Sequence, residues 1–450
     1  MLLDYHLVCI TTIDATTYLH RPRIQQNLNL SSSDNLIWKR CLGGIWDETA
    51  YSIQPTVDGG YIVAGSTHSK DEDVSGIHRN KECQDYCNPC PADFWVLKLS
   101  SSGGWGGWRK CLGGTDDDVA YSIQNTTDGG YIVAGYTESN DGDVKGLHGG
   151  KDFWAVKLDS SGNLVWQKCL GGTKDDVAHS IQRTKDGGYI VAGYTESNNG
   201  DVRGNHGGYD YWIVKLDASG NLTWQRCLGG SADDKARSIR QTADGGYVVA
   251  GYTYSNNGNV SGNHGSSDYW VVKLDASGNL TWQRCLGGSR QDEAYDIQQT
   301  ADGWYIVAGG TDSNNGNVRD NHGNWDFWVV RLDASGNLVW QRCLGGSNWE
   351  KAYSIQETDD GVYIIAGGTH SDDGDVSNNH GQEDYWIVKL VWIDCVLNAP
   401  DQVCPNSTGN VASTAESGAE YIWTIGNGTI TSSDNTQSIT FTLEHPGLLA

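Results

Sequence analysis

Hydrophobic positions along most of this chain come in short bursts rather than at helical spacing. Residues 178–184, 188–195, 211–217 and 221–228 form four strand-like runs, each bounded by Gly, Asp, Asn or Ser. Asp186-Gly187-Gly188 joins the first two and Asp217-Ala218-Ser219-Gly220-Asn221 the last two, where Gly or Asn accepts the positive φ that a tight hairpin needs. Two hairpins predict a four-stranded antiparallel unit. The second run, Tyr189-Ile190-Val191-Ala192-Gly193, is apolar on both faces, so its sheet needs neighbours on both sides. Radially stacked blades supply them, and the small Ala192 and Gly193 suit the crowded inner part of a ring.

The unit repeats. Cys-Leu-Gly-Gly begins at Cys41, Cys111, Cys169, Cys227, Cys285 and Cys343, spaced by 70 residues and then by 58 each time, so the first period holds a 12-residue insertion. Aromatic pairs recur at the start of the third run (Phe94-Trp95, Phe153-Trp154, Tyr211-Trp212, Tyr269-Trp270, Phe327-Trp328, Tyr385-Trp386) and are expected between blades. The last period, 352–390, has three runs and then departs from the pattern. Residues 35–42 are a fourth run with no first three before it. One orphan at each end predicts an all-β, six-bladed β-propeller of four-stranded blades closed by its N-terminal strand, where a solenoid would need polar caps. The expected division is an N-terminal extension at 1–34, the propeller at 35–390 and a separate domain at 391–450.

Asp217-Ala218-Ser219-Gly220-Asn221-Leu222-Thr223-Trp224, then Cys227-Leu228-Gly229-Gly230, then Asp244-Gly245-Gly246-Tyr247, resembles the β-propeller repeats of bacterial and archaeal surface proteins. The resemblance covers about residues 35–390 and implies a cell-surface or extracellular setting while saying almost nothing of activity. The cysteine departs from the small or hydroxyl residue expected there. Residues 395–450, with Tyr421-Ile422-Trp423-Thr424 and Ser438-Ile439-Thr440-Phe441, resemble the start of a PKD-type or immunoglobulin-like β-sandwich.

Composition sharpens the functional expectation. A formal charge of -25 repels phosphate backbones and anionic lipid, so nucleic acid is not an expected partner, and glycans, cations or other surface proteins are. No apolar run is long enough to span a bilayer as a helix, and the stretch from Leu7 to Ile13 is cut short by Asp14, so no signal peptide stands out.

Three sets of residues carry candidate chemistry. Acids precede every first strand, at Glu48, Asp118, Asp176, Asp234, Asp292 and Glu350, and would form a cation-attracting collar if they ringed the channel mouth; turn capping explains the same recurrence. Long loops between second and third strands carry Asp143, Asp201 and Asp375 with a His and a further Asp, suiting calcium or, equally, loop capping. The insertion's Cys83, Cys87 and Cys90 with His78 offer a zinc site or a loop disulfide. The repeat cysteines are expected to be free, because equivalent rim positions lie too far apart to bridge. Apart from calcium or zinc, no cofactor is expected. Trp325, Trp349 and Trp46 break the repeat on the loop face and would suit sugar rings there; their alternative role is packing. No Ser-His-Asp order or paired-carboxylate motif stands out, so the expectation is a non-enzymatic surface protein for adhesion, scaffolding or binding. A glycan- or cation-binding module and a polysaccharide-active enzyme are the alternatives.

Overall fold

The computed structural model describes residues 38–78, 91–358 and 361–391, together with the backbone of short strands at 9–12 and between 397 and 443. Two compact units result, one of residues 35–390 and one of 1–34 with 391–450. In the second unit, Cys9–Thr12 pairs with Glu420–Trp423, and Leu397–Asn398, Asn410–Thr414, Ser438–Leu443 and Gly428–Ile430 make an antiparallel sheet in that order.

The first unit is a six-bladed propeller. In blade three, Asp176–Arg183, Tyr189–Thr195, Asp210–Leu216 and Leu222–Leu228 pair antiparallel in chain order, within two residues of the runs read from the sequence. Five blades have this four-stranded form, and the sixth is the three-stranded sheet Glu350–Glu357, Val362–Thr369, Asp384–Val391. Gly187 closes the first hairpin at φ 86°, where any Cβ would be strained. The Asp186 side chain caps Gly188 (3.1 Å) and takes the otherwise buried Lys215 ammonium at 2.9 Å.

The core lies between blades rather than within them. Ile190, Ala192, Tyr211 and Ile213 of blade three are buried against Ala236, Ile239, Tyr247 and Trp270 of blade four. The aromatic pairs do span this junction: Tyr211 sits 4.4 Å from Trp270, and its hydroxyl donates to the Trp270 carbonyl at 2.9 Å. At the rim, Trp224 packs on Tyr247 of the next blade at 5.8 Å. Fully burying one such aliphatic side chain stabilises by roughly 1.5–3 kcal/mol, so the repeated junction supplies most of the cohesion.

The expected closure by residues 35–42 is not seen in the described part of that segment, residues 35–37 lying outside the described residues. Residues 38–44 join no sheet. Trp38 packs 5.6 Å from Tyr61 and donates to the Ser101 carbonyl at 3.1 Å, the seat that Trp108 takes on blade two, 5.7 Å from Tyr131 and 3.1 Å from the Ser160 carbonyl. Among the described residues no fourth strand lies beside Asp384–Val391, and Tyr385 and Ile387 are 96% and 69% exposed. The tryptophan seat needs only blade one, whereas closure needs both ends to meet, and that depends on the small rotation accumulated over every junction.

Candidate functional site

Every first strand contains a bulge at the same place. In blade three the register shifts between Ala178 and Ser180, leaving His179 out of the ladder. The equivalent residues are Tyr51, Tyr121, Arg237, Tyr295 and Tyr353. A bulge turns its extra residue away from the pleat and re-aims the side chain. First strands of successive blades pack side by side, so the six bulge residues meet along the inner edge of the propeller.

They form a chain of contacts. Tyr51 lies 4.8 Å from Tyr121, which lies 4.6 Å from His179. Arg237 donates from one terminal nitrogen to His179 Nε2 (2.7 Å) and from the other to the Tyr252 hydroxyl (3.0 Å), with the Tyr295 ring centre 5.9 Å away. Tyr295 continues to Tyr353 at 5.2 Å. Unlike the rest of the repeat, this girdle is asymmetric, and blades three and four hold its His and Arg.

Electrostatics separate those members. Burial, with the Arg237 and Lys235 charges, holds His179 well below the usual histidine range, so the ring is neutral and accepts from the guanidinium. Arg237 forms no ion pair among the described residues, and its buried Nε has no hydrogen-bond partner. Glu293 is occupied by Lys351 (3.2 Å) and the Tyr295 hydroxyl (2.5 Å). Asp296 replaces the serine found in other first strands and pairs with Arg240 at 3.0 Å. A charged guanidinium without a carboxylate, in a chain of net charge -25, is the least compensated group of the inner edge.

The residues singled out from the sequence lie elsewhere. Asp118, Asp176, Asp234, Asp292 and Glu350 are fully buried and Glu48 half-buried, so they make no open collar. Each holds the Gly-Gly turn before its strand: Asp176 accepts from Gly172 N (2.8 Å), Ser197 Oγ (2.9 Å) and Thr195 Oγ1. Asp143, Asp201 and Asp375 belong to the long loops. Asp201 accepts from Gly171 N at 3.4 Å and faces His148 Nε2 at 3.9 Å, while Asp375 accepts from Gly345 N at 3.3 Å. Asp143 faces His78 Nε2 at 3.7 Å. Among the described residues no three His, Cys, Asp or Glu side chains converge to hold a metal ion. Asp201 and Asp375 each have one oxygen on the amide of their Gly-Gly turn. His78 bonds to Asp93 at 2.9 Å as His148 does to Asp152, so it is a loop pin like its repeats, while Cys83, Cys87 and Cys90 lie outside the described residues.

The tryptophans are corrected in part. Trp325 is 95% buried, filling the room left where Gly310 replaces the tyrosine of blades two to four, with the Lys351 ammonium 3.7 Å from its ring centre. Trp349, 5.8 Å from Trp325, is 47% exposed, and Trp46 is half-buried. Sequence reasoning missed the girdle, although its signal was present: one position of a near-identical repeat reads Tyr, Tyr, His, Arg, Tyr, Tyr.

No protein-family model matches the chain. Over 189 residues it is 29% identical to Regulatory protein FlaEY of Caulobacter vibrioides, a match covering 39% of this chain and 20% of that protein. The chain therefore spans about a fifth of that relative's length. Similar solved structures include the WD40 domain of Neurospora crassa Pan2 (12% identity, 71% of this chain and 86% of that one, TM-score 0.38). A gluconolactonase, XC5397 of Xanthomonas campestris, aligns over 73% of this chain and 95% of its own at 9% identity and TM-score 0.35. The S511A mutant of puromycin hydrolase aligns over 73% and 44% at 13% identity and TM-score 0.36. These neighbours include enzymes, so the expectation of a non-enzymatic protein finds no support among them, and no activity is carried over from any of them.

Proposed function

We propose that the inner girdle binds an anionic carbohydrate, with Arg237 as the anchor for a carboxylate or sulfate group. The observation that carries this is the half-buried Arg237, whose guanidinium has no carboxylate partner among the described residues and lies among tyrosine rings. A guanidinium suits planar, bidentate recognition of such anions, and tyrosine faces suit the C–H surfaces of a sugar while their hydroxyls meet its polar edge. Lys235, whose ammonium lies 4.3 Å from the Tyr209 ring centre, adds positive charge beside the same blades. The resemblance to surface-protein repeats supports an extracellular setting in which acidic glycans are met.

The test is calorimetry of uronate and sulfated oligosaccharides beside their neutral analogues, with the same mixtures examined for released fragments. Charge-assisted hydrogen bonds are worth about 1.5–3 kcal/mol, so Arg237→Met should weaken binding about tenfold or more. Equal binding of charged and neutral sugars, or full affinity in Arg237→Met, would overturn the reading.

A further inference from the structure

The two ends of the propeller carry matching halves of the junction that the chain otherwise builds between its own blades. Within the array, each junction buries one set of positions on both sides. On the leading side these are the second-strand apolar residues and the first and third residues after the third strand's opening Asp: Ile190, Tyr211 and Ile213, or Ile306, Phe327 and Val329. On the trailing side they are the first-strand Ala and Ile, such as Ala236 and Ile239, with the fourth-strand Cys and Leu sealing the edge.

At blade six the leading set is bare. Tyr385 and Ile387, equivalent to the fully buried Phe327 and Val329, are 96% and 69% exposed, and Ile364 is half-buried where Ile306 is fully buried. At blade one the trailing set is bare too: Ile53 is 54% exposed against complete burial of Ile123, Ile181, Ile239, Ile297 and Ile355, and Ala50 is exposed. Cys41 is exposed while the other five repeat cysteines are buried. Beside that face, Trp38 already holds residues 38–42 where a preceding blade's fourth strand would stand, and Arg40 Nε donates to the Gly103 carbonyl at 3.0 Å.

From this continuity with the internal junctions we infer that the occupant of the bare edge of Asp384–Val391 is a second copy of this chain, which supplies residues 38–42 as the fourth strand of blade six. The register follows from blade five, where Trp328 faces Cys343 and Val329 faces Arg342. By equivalence Trp386 faces Cys41 and Ile387 faces Arg40 of the next copy, and the Ile53 face of that copy closes over Tyr385. The contact is heterologous: each copy uses a different surface on each side, so copies add head to tail. The unpaired third-strand edge is satisfied by the same hydrogen bonds that satisfy its five equivalents.

Sedimentation of the full chain over a wide concentration range tests this. The weight-average mass should rise with concentration to at least twice that of one chain. Ile387→Lys and Ile53→Lys each disable one face, and because both side chains are already exposed in the single chain, neither should unfold it. Each variant alone should stay monomeric, whereas an equimolar mixture, which restores one intact junction, should form a dimer and nothing larger. Circular dichroism melts matching the parent's confirm that the variants are folded. A parent that remains monomeric throughout, or self-association that survives Ile387→Lys, would overturn the inference.

Discussion

The blade junctions should lose stability as pH rises from 5 to 8. Asp152, at the head of the third strand of blade two, and Asp176, at the head of the next first strand, are both fully buried. Asp152 Oδ1 has no hydrogen-bond partner, and a Cβ placed on Gly171 would lie 2.6 Å from it and 2.6 Å from Asp176 Oδ2. The two carboxyl groups thus flank the same glycine, with His148 Nδ1 2.7 Å from Asp152 Oδ2, and burial pushes Asp152 up to about 6 and Asp176 to about 7 from 3.8. Because the folded state holds the proton more tightly than the unfolded chain, its stabilising effect is complete below pH 3.8 and is lost as pH rises through about 6 to 7. At about 1.36 kcal/mol per pKa unit, the rise at Asp152 corresponds to about 3 kcal/mol, an upper bound because the charge of Asp152 also raises Asp176 and the two titrations are not independent. Asp234 and Asp292 are raised to about 6 in the same way, so several junctions act together. Urea melts at pH 5 and pH 8 measure the effect. Asp152→Asn removes one charge while keeping the shape. The variant should therefore lose less stability than the parent over that interval. A parent whose stability is flat or rises from pH 5 to 8, or a variant with an unchanged slope, would refute the assignment to these buried carboxyls.

Three further outcomes follow from the geometry. Trp325→Ala should destabilise by about 3–5 kcal/mol, as large-to-small changes at buried aromatic sites do, while Trp349→Ala, half-exposed, should shift the melting temperature much less. Gly278→Ala should be costly in the same assay, because φ is +79° and the new Cβ would lie 2.8 Å from the Trp224 ring; Gly262→Ala has similar φ but nothing within 4 Å and should cost only the backbone strain. Among the six repeat thiols only Cys41 should react quickly with a maleimide in the native state, since burial pushes Cys111 and Cys169 up to about 12 and hides the rest; peptide mapping after a short pulse checks this.

Much of the architecture was legible in the residue order. The 58-residue period, the Gly-marked hairpins and the two-sided apolar second strand are local signals, and each maps onto an observed strand or turn within two residues. The aromatic pairs were correctly placed between blades, because identical units with one doubly covered strand have nowhere else to put them. The candidate site was not legible in the same way. Acids that recur in every repeat look like a collar until the tertiary fold buries Asp118 and Asp176 under their own Gly-Gly turns. Trp325 looks free until Gly310, distant in sequence, leaves the space it fills. The bulge that aims His179 and Arg237 inward is a one-residue shift in pairing, invisible to a period-two pattern, and the neutrality of that histidine depends on the charge of the neighbouring blade. The ends depend on tertiary structure for a similar reason: residues 38–44 encode their seat on blade one through Trp38, but whether they reach Asp384–Val391 depends on rotations summed over the whole array, which no single repeat specifies.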